Sequence, residues 1–264
     1  MDDLSYKEMT MENIEIKDTL KNFWFLYFLT VLLAIVMKFF CRITDSDLLT
    51  WILAPTARWA GILGNIPFEY LAHQGYVNHF YRFLIAPSCS GIRFLTILFA
   101  MLIFSFLHRI RSTRAGYLWF VLSAALSCLA TVFVNGIRIV LAVYLPIPLE
   151  KAGLLNGWLN PDRLHTLIGT TVYFSSLCII YPAASCLCQS FFARTPRLET
   201  VSSGYGLKLL TPAFWYLSAV LALPLLGRAV RNDWEGFGGY AVLMIGVCTL
   251  VMIPAVVAGL LRRT

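Results

Sequence analysis

The sequence predicts an all-α, polytopic membrane helix bundle of about six transmembrane helices. Hydrophobic residues make up 59% of the 264 residues and charged residues only 13%. This leaves too little polar surface to cover a soluble globule of that size. The apolar residues are also gathered into runs of about 20, which is the length that crosses a hydrocarbon core.

Six runs meet that length, at residues 22–40, 91–108, 115–134, 166–188, 211–227 and 240–261. The region between the first two runs has a different character. Residues 48–66 place apolar side chains at helical spacing but are interrupted by Pro55 and Arg58, which predicts an interfacial helix rather than a seventh span. Residues 67–86 are rich in aromatic and β-branched residues around Gly75, which predicts a hairpin-like flap on the membrane surface.

Composition divides the chain into four parts, with the main break where a polar stretch containing Ser and Gly follows Pro196. We expect a cytoplasmic N-terminal segment at 1–21, a catalytic membrane core at 22–188, a cytoplasmic linker at 189–210 and a two-helix membrane appendix at 211–264. Basic clusters at 109–114 and 262–263 favour the cytoplasmic side. The flap and the start of the second run are therefore expected at the outer face.

Several classes of function are excluded by composition and spacing. The net charge of +7 comes from short inter-helix clusters rather than a basic stripe, so we predict no nucleic-acid partner. The seven Cys residues lie mostly in apolar runs and do not form a disulfide framework. Cys186 and Cys188 lack a second pair, and His73 and His79 lack common zinc spacing, so we expect neither a metal nor a cofactor.

Cys89 lies where a polar region meets the second apolar run. Pro87 cannot lie inside a helix, so the helix is expected to begin at or after it, with Cys89 near the first turn. Unpaired amides and the positive end of the helix dipole at that position favour a thiolate. The alternative is that Cys89 is one more small buried hydrophobe.

Two further polar groups are expected at the same membrane level. Arg138 follows Asn135 and Gly136 at the expected end of the third run, and His165 precedes the fourth run. Cys89, His165 and Arg138 are the residue types of a nucleophile, an acid/base group and an oxyanion stabiliser. Taken singly, His165 could cap a helix and Arg138 could snorkel at a helix end.

The residues around these three have supporting interpretations. Arg93, one helical turn after Cys89, is expected to steady a thiolate or to serve the structure, and Asn135 is either a helix terminator or an active-site donor. Ser90 and Gly91 complete the segment that begins at Pro87. The coincidence of three functional residue types at one level favours a site over three unrelated structural residues.

Three motifs together resemble the exosortase/archaeosortase family of polytopic membrane cysteine transpeptidases. They are a Cys-Ser-Gly-hydrophobic-Arg segment at 87–93, an Asn-x-x-Arg segment at 135–139 and a following His at 165–169. The resemblance covers about residues 23–188 and implies Cys89 as nucleophile, His165 as acid/base and Arg138 as oxyanion or substrate stabiliser.

The resemblance also implies a reaction and partners. Such a protein sits in the cell membrane of a prokaryote with its site facing outward. It cuts, and then transfers, membrane-anchored proteins that end in a short motif, a transmembrane helix and a basic tail. The acceptor nucleophile is left open. The rival interpretation is a transporter or membrane scaffold in which Arg93, Arg138 and His165 line an ionisable pathway.

Overall fold

The computed structural model describes residues 2–110, 112–155, 157, 159–192, 205–222, 224–225, 228 and 236–261. Helices dominate this part of the chain, and the all-α membrane bundle predicted from the sequence is confirmed. The α-helices are α1 (Asp2–Ile43), α2 (Thr50–Gly64), α3 (Ile92–Phe106), α4 (Thr113–Tyr144), α5 (Pro146–Lys151), α6 (Pro161–Phe191), α7 (Tyr205–Leu217) and α8 (Phe237–Leu261).

Five helices of the described residues are long and apolar enough to cross a membrane. These segments are Asn22–Cys41, Pro87–Arg109, Thr113–Lys151, Pro161–Phe191 and Phe237–Pro254. The predicted span at 211–227 falls instead on a shorter apolar segment, Leu210–Ala222, in which α7 passes into a π-helical turn. The predicted number of six spans is therefore not confirmed.

The third apolar run is longer than expected, and its predicted end at residue 134 is wrong. α4 continues without a break to Tyr144, so Arg138 lies inside the helix and not at its end. Gly136 does not loosen the helix, because the indole ring of Trp59 occupies the space that a side chain there would fill. Apolar residues from Ile137 to Leu141 continue the helical pattern.

α3 is the central helix of the bundle. Of its most apolar window, 72% is buried inside the protein, against 28% or less for the other four spanning helices. α1, α4, α6 and α7 pack around it, with Phe94, Leu98 and Phe106 at the centre of the contact. The outward faces of the surrounding helices remain apolar and exposed, as lipid contact requires.

The C-terminal helices pack on the core. The hydroxyl of Thr170 on α6 lies 3.2 Å from the sulfur of Met244 on α8, and Phe174 packs against Tyr216 of α7 with ring centroids 5.5 Å apart. The expected linker at 189–210 lies largely outside the described residues, so the division of the chain into parts stays a prediction.

α2 agrees with the predicted helix at 48–66 and is too short to span. Its 15 residues extend roughly 22 Å at 1.5 Å per residue, against a hydrocarbon core of about 30 Å. Trp59 fixes α2 against α4, because its indole N–H donates to the carbonyl of Phe133 at 3.3 Å. The interfacial position of α2 stays a prediction.

The flap has one strand more than the predicted hairpin. β1 (Glu69–Leu71), β2 (Gly75–Asn78) and β3 (Phe83–Ile85) form an antiparallel sheet in the order β1-β2-β3. Gly75 has a φ of 119°, and a side chain there would clash with the carbonyl of Ile85. Ile85 is fully buried against α2 and leads the chain directly into the turn that carries Cys89.

Asp47 anchors the flap to the segment before α2. Its Oδ1 accepts hydrogen bonds from the Tyr70 hydroxyl at 2.6 Å and from the His73 backbone N–H at 2.8 Å, and its Oδ2 lies 2.9 Å from His73 Nδ1. These hydrogen bonds lower the pKa of the Asp47 carboxyl, and the bond from the Tyr70 hydroxyl has the largest effect. A lowered carboxyl pKa means that the anchoring is present at neutral pH and is lost as the pH falls through that pKa.

Replacing Asp47 with Ala should loosen the flap without unfolding the bundle. The backbone amide of His73 then loses its acceptor, so its hydrogen exchange at neutral pH should accelerate about tenfold. Asp45→Ala is the matched control, because Asp45 is an exposed neighbour of the same charge. Equal exchange in both variants would contradict the anchoring role.

Candidate active site

Cys89 closes a short turn in front of α3 rather than lying in the first turn of that helix. Residues Pro87–Cys89 form a 3-10 turn in which the Cys89 N–H donates to the carbonyl of Ala86 at 2.8 Å. Gly91 then takes a left-handed conformation, φ 78°, and α3 begins at Ile92. This left-handed residue separates the turn from the helix, so Cys89 lies in the turn directly before α3.

Gly91 brings the Cys89 turn close to α4. A Cβ atom at Gly91 would lie 2.9 Å from Cγ2 of Thr131 and 3.0 Å from Cγ of Asn135, closer than carbon atoms pack. The positive φ adds strain for any other residue. Both conditions explain why glycine is needed two residues after Cys89.

Asn135 connects the Cys89 turn to two helices. It is fully buried, and its Nδ2 donates to the carbonyl of Cys89 at 2.7 Å. Its Oδ1 accepts from the Tyr173 hydroxyl at 2.7 Å and from Nη1 of Arg138 at 3.3 Å. Asn135 is therefore not a helix terminator but the residue that joins α3, α4 and α6 at this point.

The guanidinium of Arg138 lies at the centre of the site. The side chain is only 8% exposed, and its Nη2 lies 2.6 Å from Nε2 of His165. Arginine has only donors, so Nε2 of His165 is the acceptor, and the imidazole in this arrangement is neutral with its proton on Nδ1. Arg138 is not a residue that snorkels at a helix end.

One face of α6 receives the guanidinium. His165, Gly169 and Tyr173 follow each other at intervals of four residues and so share a helix face. A Cβ atom at Gly169 would lie 3.2 Å from Nε of Arg138, so the guanidinium crosses the helix at the one position without a side chain. Asn160 caps this helix by accepting the Arg163 N–H at 2.8 Å, which places His165 in the second turn.

Tyr173 was missed by the sequence analysis. Its hydroxyl lies 3.3 Å from Nη1 of Arg138, its ring lies 5.4 Å below the guanidinium carbon, and the same ring stacks on Phe94 at 4.9 Å. The available signal was the spacing of Tyr173, two helical turns after His165 with a glycine between them.

The predicted supporting residues Ser90 and Arg93 differ in their burial and contacts. Ser90 is buried, and its hydroxyl lies 3.5 Å from the Ile92 N–H at the start of α3. Arg93 is exposed and makes none of the contacts of the Arg138 cluster. The expected role of Arg93 in steadying a thiolate therefore stays a prediction.

The other histidines lie elsewhere. His73 and His79 are on the flap, where they pair with Asp47 at 2.9 Å and with Glu69 at 3.9 Å. His108 lies in the turn at the far end of α3. His165 is therefore the histidine that the fold brings to Arg138.

A pocket of about 260 Å³ opens beside His165 where α4 ends and α5 and α6 begin. It is smaller than the roughly 300–1,000 Å³ of sites for drug-sized ligands, so its size suits one or two residues of a peptide. Its lining is mainly apolar and consists of Ala142, Pro146, Pro161, Asp162, Leu164, His165 and Ile168.

Comparison with known proteins gives the family. Residues 17–182, more than half of the chain, match the family model for transmembrane exosortases. The chain belongs to the transmembrane exosortase family. Exosortases are membrane transpeptidases or proteases of the cysteine type that act on sorting signals, so the predicted family is confirmed. No curated protein and no solved structure matched this exosortase.

Gly169→Ala should separate stability from activity in this exosortase. Alanine favours a helix interior by about 1 kcal/mol over glycine, so folding should be kept. The new methyl group must push Arg138 by a few tenths of an ångström, and we expect processing of sorting-signal proteins to slow about tenfold.

The matched control is Gly246→Ala on α8, where an added Cβ meets nothing within 4 Å. It should leave processing unchanged. Thermal unfolding in detergent and the processing rate in the host would be measured for both variants. If Gly169→Ala processes as fast as Gly246→Ala, the close contact with Arg138 is not needed for activity.

Proposed function

We propose that this exosortase is a cysteine endopeptidase and transpeptidase in which Cys89 is the nucleophile, His165 the acid/base and Arg138 the oxyanion stabiliser. The single observation that carries the proposal is the contact set of Arg138 and Asn135. Arg138 lies 2.6 Å from His165, and Asn135, which accepts from Arg138, holds the carbonyl of Cys89. These contacts join the Cys89 turn, α4 and α6, which supports the assignment.

Proton transfer begins the reaction. In the resting arrangement Nε2 of His165 accepts from Arg138. When the scissile carbonyl oxygen takes that Arg138 donor, Nε2 is released and accepts the proton of the Cys89 thiol. The sulfur bonds to the carbonyl carbon, and the C=O electron pair moves to the oxygen, where the guanidinium stabilises it.

Collapse of that intermediate completes acylation. The C–N bond breaks, the imidazolium of His165 gives its proton to the leaving amine, and a thioester remains on Cys89. A second nucleophile then attacks the thioester and loses its proton to His165, the C–S bond breaks, and the Cys89 thiolate leaves and takes that proton from the imidazolium. Transfer results when that nucleophile comes from an acceptor molecule, and hydrolysis results when it is water.

The substrates are proteins anchored by a C-terminal sorting signal, cut at the outer face of the cell membrane. The location of Cys89 supports this, because its turn lies between the flap and the end of a spanning helix, where a peptide next to a membrane helix can arrive laterally. The pocket has His165 in its lining, so it suits a side chain next to the scissile bond.

Cys89→Ala should stop this processing. Without the sulfur no thioester forms, so uncut precursors should accumulate more than about a hundredfold in host membranes. The measurement is mass spectrometry of C-terminal peptides from membrane proteins that end in a helix and a basic tail. Cys128→Ala is the matched control, because Cys128 is a partly buried cysteine of α4 outside the Arg138 contacts.

Normal processing in Cys89→Ala membranes would contradict the nucleophile assignment. If processing is normal in the Cys89→Ala variant but is lost when the whole gene is deleted, the result would favour a scaffold.

A further inference from the structure

We infer that Tyr173 is a positioning residue that holds the guanidinium of Arg138 in its working orientation. The inference rests on the proposed function, because it assigns a task to Arg138. It names a residue that the motifs at 87–93, 135–139 and 165–169 do not contain. Tyr173 acts through Arg138 and Asn135 rather than on the reacting atoms.

The contacts of Arg138 divide between two sides of the guanidinium. Nη2 faces His165 at 2.6 Å, while Nη1 is shared by the Tyr173 hydroxyl and Oδ1 of Asn135, both at 3.3 Å. Nε has no hydrogen-bond partner among the described residues. Without the Tyr173 hydroxyl, Asn135 alone would hold the Nη1 side, and the planar group could rotate about its own bonds.

Tyr173 is itself held firmly. It stacks on Phe94, which is fully buried on the central helix, with ring centroids 4.9 Å apart. Its hydroxyl donates to Oδ1 of Asn135 at 2.7 Å and is therefore oriented to accept from Arg138 with its lone pairs. The ring also lies 5.4 Å from the guanidinium carbon, where a cation–π contact favours the charge.

The Tyr173 hydroxyl therefore serves both partners of the site. It orients Asn135, which holds the Cys89 carbonyl at 2.7 Å, and it orients Arg138, which faces His165. A side chain that only filled space at this position would need the ring but not the oxygen. This difference makes the role testable with the substitution Tyr173→Phe.

The test measures where the Arg138 charge lies relative to Cys89. The full chain in detergent is alkylated with iodoacetate, which carries a carboxylate, and separately with neutral iodoacetamide. The rate at Cys89 is followed by mass spectrometry of the peptide that contains it. The ratio of the two rates reports the positive potential at the sulfur and does not depend on a known substrate.

Arg138→Gln should lower this ratio about tenfold, because it removes the charge. Tyr173→Phe should lower it about threefold while the ring and the Phe94 stack remain. In the double variant the ratio should equal that of Arg138→Gln alone, because the ratio reports charge and Arg138 is the charged partner of the hydroxyl. Arg93 contributes the same potential in every variant.

Tyr181→Phe is the matched control. Tyr181 is a buried tyrosine two turns further along α6, and its ring packs on Phe106 at 5.3 Å, away from Arg138. Its ratio should equal that of the native chain. Melting curves in detergent check that all variants are folded.

Two results would overturn the inference in distinguishable ways. If Arg138→Gln lowers the ratio but Tyr173→Phe leaves it unchanged, Tyr173 does not position Arg138, and the proposed function stands. If Arg138→Gln leaves the ratio unchanged, the guanidinium does not face Cys89, and both the positioning role and the proposed site fail together.

Discussion

This site depends on a buried positive charge that has no carboxylate partner among the described residues. Arg138 is 8% exposed, and its hydrogen-bond partners are all neutral: an amide oxygen, a phenol oxygen and an imidazole nitrogen. Neither ion pair among the described residues involves it. Removing such a charge from water costs several kcal/mol. The neutral contacts offset part of that cost and leave the guanidinium with an unmet preference for an anion, which an oxyanion would satisfy.

Three glycines allow the close contacts around this charge, because a side chain at any of them would meet a neighbouring residue. Gly91 lets the Cys89 turn reach Asn135, and Gly169 lets the guanidinium cross α6. Gly136 makes room for Trp59, which joins α2 and therefore the flap to the helix that carries Arg138. Each close approach brings another helix to the same cluster. The central helix α3 also contacts the cluster, because its Phe94 stacks on the ring of Tyr173.

Much of this could be predicted from the sequence, because hydropathy determines where helices lie in a membrane and because Cys89, Arg138 and His165 are chemically distinctive. The predictions failed where tertiary packing decides. The third helix was expected to end near Asn135 and Gly136, yet the ring of Trp59 fills the space beside Gly136 and α4 continues. Cys89 was expected near the first turn of a helix, but the sequence did not indicate that a left-handed Gly91 separates its turn from that helix. Tyr173 was overlooked, because a tyrosine in an apolar run does not reveal whether its hydroxyl has a partner.

The most direct measurement of the central claim is a search for an acyl thioester on Cys89. The exosortase would be purified from its host under acidic denaturing conditions, which preserve thioesters, and the Cys89 peptide would be weighed before and after neutral hydroxylamine. We predict a peptide adduct on Cys89 that hydroxylamine releases and that is lost in the variant His165→Ala, because His165 is needed for acylation. An acyl adduct on another residue, with Cys89 unmodified while substrates are being cut, would contradict the account.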